Sequence, residues 1–194
     1  MTRLAVFGYG SLVSAVSAAE TLGRPVQRLV PARLVGWRRR WTLCRDNLTS
    51  EKTFALADGT VPPYVLGLNL ERDSECAGAN GVLIELSEDE AQRLDIREIR
   101  YDRVDVTADV RLPDANPGFD SVFTYTARSD RYAAEAPARA VVMATYLSAV
   151  EAAFAALGPA ELSRFRETTD PLPVEAVEAT LVRDEIPPGN PRRW

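Results

Sequence analysis

The stretch Phe7-Gly8-Tyr9-Gly10-Ser11-Leu12 closes an apolar run, and two glycines in three residues are more than a turn needs. Gly8 and Gly10 can take positive φ and let a ligand approach the main chain closely. A helix starting near Ser11 would aim its N–H groups and its positive dipole end at that ligand. Such a loop suits a carboxylate or a developing oxyanion; the other reading is a strand-to-helix turn with no guest. The second candidate is Leu94 to Val104, Leu-Asp-Ile-Arg-Glu-Ile-Arg-Tyr-Asp-Arg-Val. Counting back from Val104 and Val106 puts Asp102, Arg100 and Glu98 on one side of a strand. If that side faces the core, Glu98 is a buried carboxylate of raised pKa, able to take a proton and return it. Ile99 and Tyr101 are apolar on the opposite phase, and a bulge between 101 and 104 would reverse the assignment. The alternative is a solvated cluster of ion-paired Asp, Arg and Glu.

What is missing narrows the chemistry further. The 194 residues include no histidine, which removes a Ser-His-Asp triad, a Cys-His pair and a His-ligated zinc. Lys52 is the sole lysine, so a P-loop is absent and a Schiff-base mechanism is a poor fit. Cys44 and Cys76 have no metal-ligand spacing and are expected as free thiols, a single disulfide being the alternative. Acid–base work therefore falls to carboxylates, tyrosines or the backbone, and no metal is called for. A formal charge of -5 argues against a nucleic-acid partner, and Arg38-Arg39-Arg40 alternate in direction along a strand. No apolar segment is long enough to span a bilayer, so no membrane partner is expected. Gly8 to Ser11 interrupt the apolar stretch behind Arg3, which counts against a secretory signal and favours the cytoplasm.

Certain elements must hold these candidates. Residues 3–8 read as a buried strand and 11–22 as a helix stopped by Gly23 and Pro25. From Leu29 to Leu43, period two predicts one long strand with Val35, Trp37, Arg39, Trp41 and Leu43 inward. Short strands are expected at 53–57, 64–70 and 81–86. Ser87 with Glu90 forms a capping box for a short helix burying Ala91 and Leu94. Val104 to Leu112 reads as a strand paired with 119–127 across a turn at Pro113 to Gly118. Residues 138–157 and 161–168 read as helices, followed by a proline-rich tail. Strands thus cluster with hairpin spacing and helices follow, giving one α+β domain over 1–194 with a largely antiparallel, barrel-like sheet. Residues 1–135 form mainly the sheet core, and 136–194 the helical part and tail. Gly8-x-Gly10 opens like a dinucleotide fingerprint, but Val13 stands in place of its third glycine.

The combination of Phe-Gly-Tyr-Gly-Ser-Leu near the N-terminus with Leu-Asp-x-Arg-Glu-x-x-Tyr-x-Arg mid-chain resembles the γ-glutamylcyclotransferase-like family, nearest its ChaC-like and bacterial branches. Residues 81–106 are similar to that family's central strand–helix–strand, and 143–158 with 165–170 to its C-terminal helical part. The resemblance implies a small barrel-containing α+β fold and release of 5-oxoproline from a small γ-glutamyl substrate, without metal or organic cofactor. Glu98 falls on the catalytic glutamate, and Tyr9 to Leu12 on the substrate-binding loop. Gly8, Tyr125 and Tyr146 are further candidate contacts, each tyrosine also fitting a core position. Ile99-Arg100 stand where glutathione-degrading members carry glycines, and the loop lacks the asparagine of other members. Two readings stand beside a γ-glutamyl peptide substrate. One is action on γ-glutamylamines; the other is a non-catalytic relative that binds an acidic metabolite or a partner protein.

Overall fold

A computed structural model describes residues 3–112, 118–186 and 189–191. The first strand, β1 (Leu4–Gly8), is fully buried from Ala5 to Phe7. Its loop enters a 3-10 turn over Ser11–Val13, and helix α1 (Ala15–Leu22) follows, N-capped by Ser14. The continuous helix expected from Ser11 is thus broken at Ser14, whose extended backbone and hydroxyl start the α-helix afresh.

The long strand expected over 29–43 is two strands, β2 (Val30–Leu34) and β3 (Trp37–Asp46). Gly36, at φ +75°, reverses the chain between them and leaves Val35 42% exposed rather than in the core. Trp37, Arg39, Trp41 and Leu43 do face inward, and a register shift between Arg40 and Leu43 buries Thr42 as well. Strands β4 (Lys52–Leu56), β5 (Tyr64–Arg72) and β6 (Ala79–Leu86) follow. The Ser87–Glu90 capping box opens helix α2 (Glu88–Arg97), which buries Ala91 and Leu94.

Strand β7 (Tyr101–Asp105) ends earlier than the alternation suggested. A turn closes with Asp109 N–H donating to the Val106 carbonyl at 2.9 Å, and β8 (Val110–Arg111) then joins a different neighbour, β2. The Thr107 hydroxyl receives the Val122 N–H at 2.8 Å and fixes that break. Strand β9 (Ser121–Ala127) pairs antiparallel with β7; the turn expected before it lies, at 113–117, outside the described residues. Residues 138–157 are not one helix: β10 (Ala140–Met143) precedes α3 (Ala144–Leu157), and α4 (Pro159–Glu167) follows. The tail adds β11 (Ala176–Val177) and β12 (Ala179–Asp184).

The strands form a six-stranded sheet in the order β7-β9-β1-β6-β2-β8, a four-stranded sheet β11-β10-β5-β3, and the pair β12-β4. Among the described residues, six strand pairings are antiparallel and three parallel, so the largely antiparallel expectation holds. Side chains stitch the two larger sheets into a curled half-barrel. Ala127 N–H donates to Asn69 Oδ1 at 2.8 Å, and Tyr101 Oη donates to the Leu68 carbonyl at 2.9 Å.

Arg39 makes the deepest polar crossing. Its guanidinium is fully buried, donates to the Asn80 carbonyl and side chain on β6, and reaches the Thr168 and Thr169 hydroxyls after α4. It also lies 5.1 Å and 4.7 Å above the Phe154 and Phe165 rings. Burial pulls its pKa down to about 9, still above neutral pH, so it remains a cation held by neutral oxygens and aromatic faces.

Candidate active site

Gly8 and Gly10 are explained by proximity rather than by left-handed backbone. Neither has positive φ; Gly10 sits at φ -129°. A Cβ at Gly8 would meet Leu12 Cβ at 2.9 Å, and one at Gly10 would meet Tyr146 Oη at 3.1 Å. Across the sheet, Gly81 is needed for the same reason, since its Cβ would lie 2.6 Å from Phe7 Cζ. The loop is therefore packed tightly against its surroundings on both sides. The α-helix start expected behind it is displaced to Ser14, and a 3-10 turn over Ser11–Val13 takes its place next to the loop.

Glu98 is not on a strand face. It is the C-cap of α2, with its N–H donating to the Leu94 carbonyl at 2.8 Å and its carbonyl accepting from Tyr101 N–H at 2.8 Å. Counting back from Val104 fails because the chain turns between 98 and 100; Asp102 is solvent-exposed as a result. The Glu98 side chain is nonetheless only 12% exposed, and Arg97 Nε lies 3.2 Å from its Oε1. Arg97 is the residue that sequence reasoning missed. Its Nη2 donates to Ser11 Oγ at 2.9 Å and to Ser17 Oγ at 3.1 Å, and its Nη1 donates to Thr21 Oγ1 at 2.5 Å. One buried guanidinium thus ties Glu98 to the glycine loop and to α1. The available signal was spacing: Arg97 stands three residues after buried Leu94 on the same helix face.

Gly8, Tyr9, Gly10, Ser11, Leu12, Tyr125, Tyr146 and Glu98 all line one compact cavity of about 40 Å³, with Phe7, Leu68 and Tyr101 completing its wall. The structure therefore brings these eight residues to one place, while Arg100 lines a neighbouring cavity and Asp102 faces solvent. Their side chains face it differently, however. Tyr9 Oη donates to the Tyr125 carbonyl at 2.8 Å, and burial holds its pKa well above that of an ordinary phenol. Tyr125 Oη donates to Asp95 Oδ1 at 2.7 Å, and burial followed by that carboxylate raises its pKa as well. Both are neutral donors committed to protein acceptors, so they shape the cavity. Asp95 lies between Tyr125 and Arg103 and accepts hydrogen bonds from both.

A second cavity of about 130 Å³ shares Ser11, Glu98, Tyr101 and Tyr146 and extends beneath β4. Its charged wall, which includes Arg45, Glu51, Lys52 and Arg100, was not legible as a site; only the placement of Arg100 two residues after Glu98 hinted at it. Cys44 and Cys76 are free thiols, as expected. Among the described residues, no group of three or more His, Cys, Asp or Glu is placed to hold a metal ion, and no helix is long and apolar enough to cross a membrane.

No protein-family model and no curated protein matches the sequence. The fold does have relatives among solved structures. YkqA from Bacillus subtilis superposes with a TM-score of 0.59 at 18% identity, over 90% of this chain and 56% of YkqA. This chain therefore spans just over half the length of that protein. A γ-glutamyl cyclotransferase superposes at TM-score 0.58 and 11% identity, over 91% of this chain and 94% of its own. The yeast γ-glutamyl cyclotransferase specific to glutathione gives 0.52 and 14%, over 87% and 98%. The architecture is that of the γ-glutamyl cyclotransferases; at these identities the likeness is one of fold.

Proposed function

We propose that the protein is a γ-glutamyl cyclotransferase that releases 5-oxoproline from a γ-glutamyl peptide or amine. The observation that carries this reading is the convergence of Glu98 and the glycine loop on one compact cavity, in a fold shared with γ-glutamyl cyclotransferases.

In the proposed reaction the substrate's α-amine attacks its own γ-carbonyl carbon, closing a five-membered lactam. The amine arrives as an ammonium and first gives one proton to solvent; as the neutral amine attacks and the new C–N bond forms, the Glu98 carboxylate takes a second proton from that nitrogen. The tetrahedral intermediate then expels the leaving amine, whose nitrogen receives that proton back from Glu98. Of the three ammonium protons, one goes to solvent, one passes through Glu98 to the leaving nitrogen and one stays on the lactam nitrogen, and Glu98 is restored as a carboxylate. Nucleophile and electrophile belong to one molecule, so a cavity that holds the folded conformer gains a large proximity effect. Cramped space around Gly8 and Gly10 favours that conformer, and main-chain N–H groups of the loop would serve the oxyanion or the α-carboxylate. Arg97 would position Glu98 relative to the loop through its bond to Ser11.

The test is to incubate the purified protein, with EDTA and no added metal, with glutathione, γ-glutamyl dipeptides and γ-glutamylamines and to measure 5-oxoproline. Release from at least one compound is expected. Silence across the panel would overturn the reading in favour of a non-catalytic binder.

A further inference from the structure

Away from Glu98, a row of polar residues crosses three strands of the six-stranded sheet. Arg33 on β2 stands opposite Asn80 on β6 and, on its other side, opposite Arg111 on β8. Directly opposed residues of antiparallel strands share a face, so Asn80, Arg33 and Arg111 point to the same side of the sheet. Helix α4 meets the row at Asn80, whose Nδ2 donates to the Glu161 carbonyl at 2.9 Å and to Glu161 Oε2 at 2.7 Å. Arg33 and Arg111, further along the row, are exposed.

These two arginines and Arg164 of α4 line one cavity of about 270 Å³, and Glu161 is the carboxylate in its wall. Glu161 is engaged on both oxygens, by Asn80 and by Arg164 Nη1 at 2.7 Å. The chain carries 28 acidic against 23 basic residues, yet among the described residues no acid pairs with Arg33 or Arg111. Arg111 is steadied by its own strand, its Nη1 donating to the Ala108 and Val110 carbonyls at 2.8 Å. Like charges directly opposed across a strand pair are destabilising, so the pair gains from an anion between its members. Three guanidiniums against one carboxylate leave two positive charges, which a dianion neutralises and a lone carboxylate does not. Guanidinium forks also match the spacing of phosphate oxygens.

We propose that the cavity between β2, β8 and α4 binds a phosphate group, free or carried as the monoester of a small molecule, through Arg33, Arg111 and Arg164. It shares no lining residue with the cavities at Glu98, so the site is independent of the proposed reaction.

The experiment is calorimetry at about pH 8, where phosphate is a dianion, at constant ionic strength with inorganic phosphate, glycerol phosphate and acetate. Phosphate is expected to bind at millimolar concentration or below, and acetate at least about tenfold more weakly. Arg33→Gln and Arg111→Gln, both at exposed positions, should each weaken phosphate binding at least about tenfold. Arg166→Gln, on α4 but paired with Glu151, should leave it unchanged. Tighter binding of glycerol phosphate than of the free ion would support the site and assign it to monoesters; the reverse would support it and assign it to the free ion. Thermal unfolding gives a second readout: phosphate should raise Tm in the wild type and much less in Arg33→Gln, which without phosphate should melt no lower than the wild type. No phosphate binding at millimolar concentration, acetate binding as tightly as phosphate, or affinity that survives both substitutions would overturn the inference.

Discussion

Arg39→Met replaces a buried guanidinium with an apolar side chain of similar length that still packs on Phe154 and Phe165. The magnitude follows from what the guanidinium leaves behind. The Thr168 and Thr169 hydroxyls keep their own acceptors, the Arg164 and Phe165 carbonyls, at 2.7 Å and 2.5 Å. Two oxygens of Asn80, main chain and side chain, lose the donor they share. Each buried acceptor left unsatisfied costs about 1–3 kcal/mol, so the gross loss is roughly 2–6 kcal/mol. Relief from burying a cation offsets part of it, leaving a net loss of about 2–4 kcal/mol. For a chain of this size each kcal/mol moves Tm by about 2–4 °C, so a drop of roughly 4–16 °C is expected. Urea unfolding followed by circular dichroism, with an unchanged m-value, measures it. A loss below about 1 kcal/mol, or a gain, would refute the reasoning by showing that desolvating the cation outweighs its hydrogen bonds.

Three further outcomes follow from the site and its supports. Gly10→Val places a Cβ 3.1 Å from Tyr146 Oη and two methyls in the compact cavity, so affinity for a γ-glutamyl ligand should fall at least about tenfold; unchanged affinity by calorimetry, with the fold intact, would make the loop a turn only. Tyr9→Phe removes a buried donor from the Tyr125 carbonyl and should cost about 1–3 kcal/mol in urea unfolding while kcat stays within a few-fold; a selective loss of kcat would instead give the phenol a direct part in turnover. Asp46 accepts from the Thr49 and Leu48 N–H groups, and the Thr49 bond foremost holds its pKa below the ordinary carboxylate value. Its stabilisation is therefore present above about pH 4 and lost as pH falls through the lowered folded-state value, so the Tm gap between wild type and Asp46→Asn should shrink on acidification; a gap constant from pH 7 to pH 3 would contradict this.

Features encoded locally were legible, and features made by distant pairing were not. The Ser87–Glu90 capping box depends on residues three apart, and the structure reproduces it. Inward-facing Arg39 followed from period two within β3, but the same alternation ran unbroken through Val35 because it carries no mark of the turn at Gly36. Ala140–Met143 has the apolar character of the helix it precedes, and only its parallel neighbours β5 and β11 make it a strand. Strand β12 pairs with β4, more than a hundred residues earlier, and no local pattern announces it. The site divides in the same way. The glycine loop and Glu98 were visible as short motifs, though Glu98 owes its place to the end of α2 rather than to strand phase. The clamp of Arg97 on Ser11 and the charged wall that includes Arg45 and Lys52 arise from contacts between separate elements.

The most direct measurement is the rate of 5-oxoproline formation by Glu98→Gln beside wild type and Glu90→Gln. The control is closely matched: Glu90 lies on the same helix, its side chain is 14% exposed against 12% for Glu98, and it is engaged with Arg24 and Ser87 rather than with the cavity. Glutamine keeps the size of the Glu98 side chain and an oxygen for Arg97, but it cannot take a proton and return it. General acid–base groups contribute about 10²- to 10⁴-fold, so kcat for Glu98→Gln should fall by that factor, with KM and Tm near those of wild type and Glu90→Gln retaining its kcat. Near-parental kcat in Glu98→Gln would contradict the account.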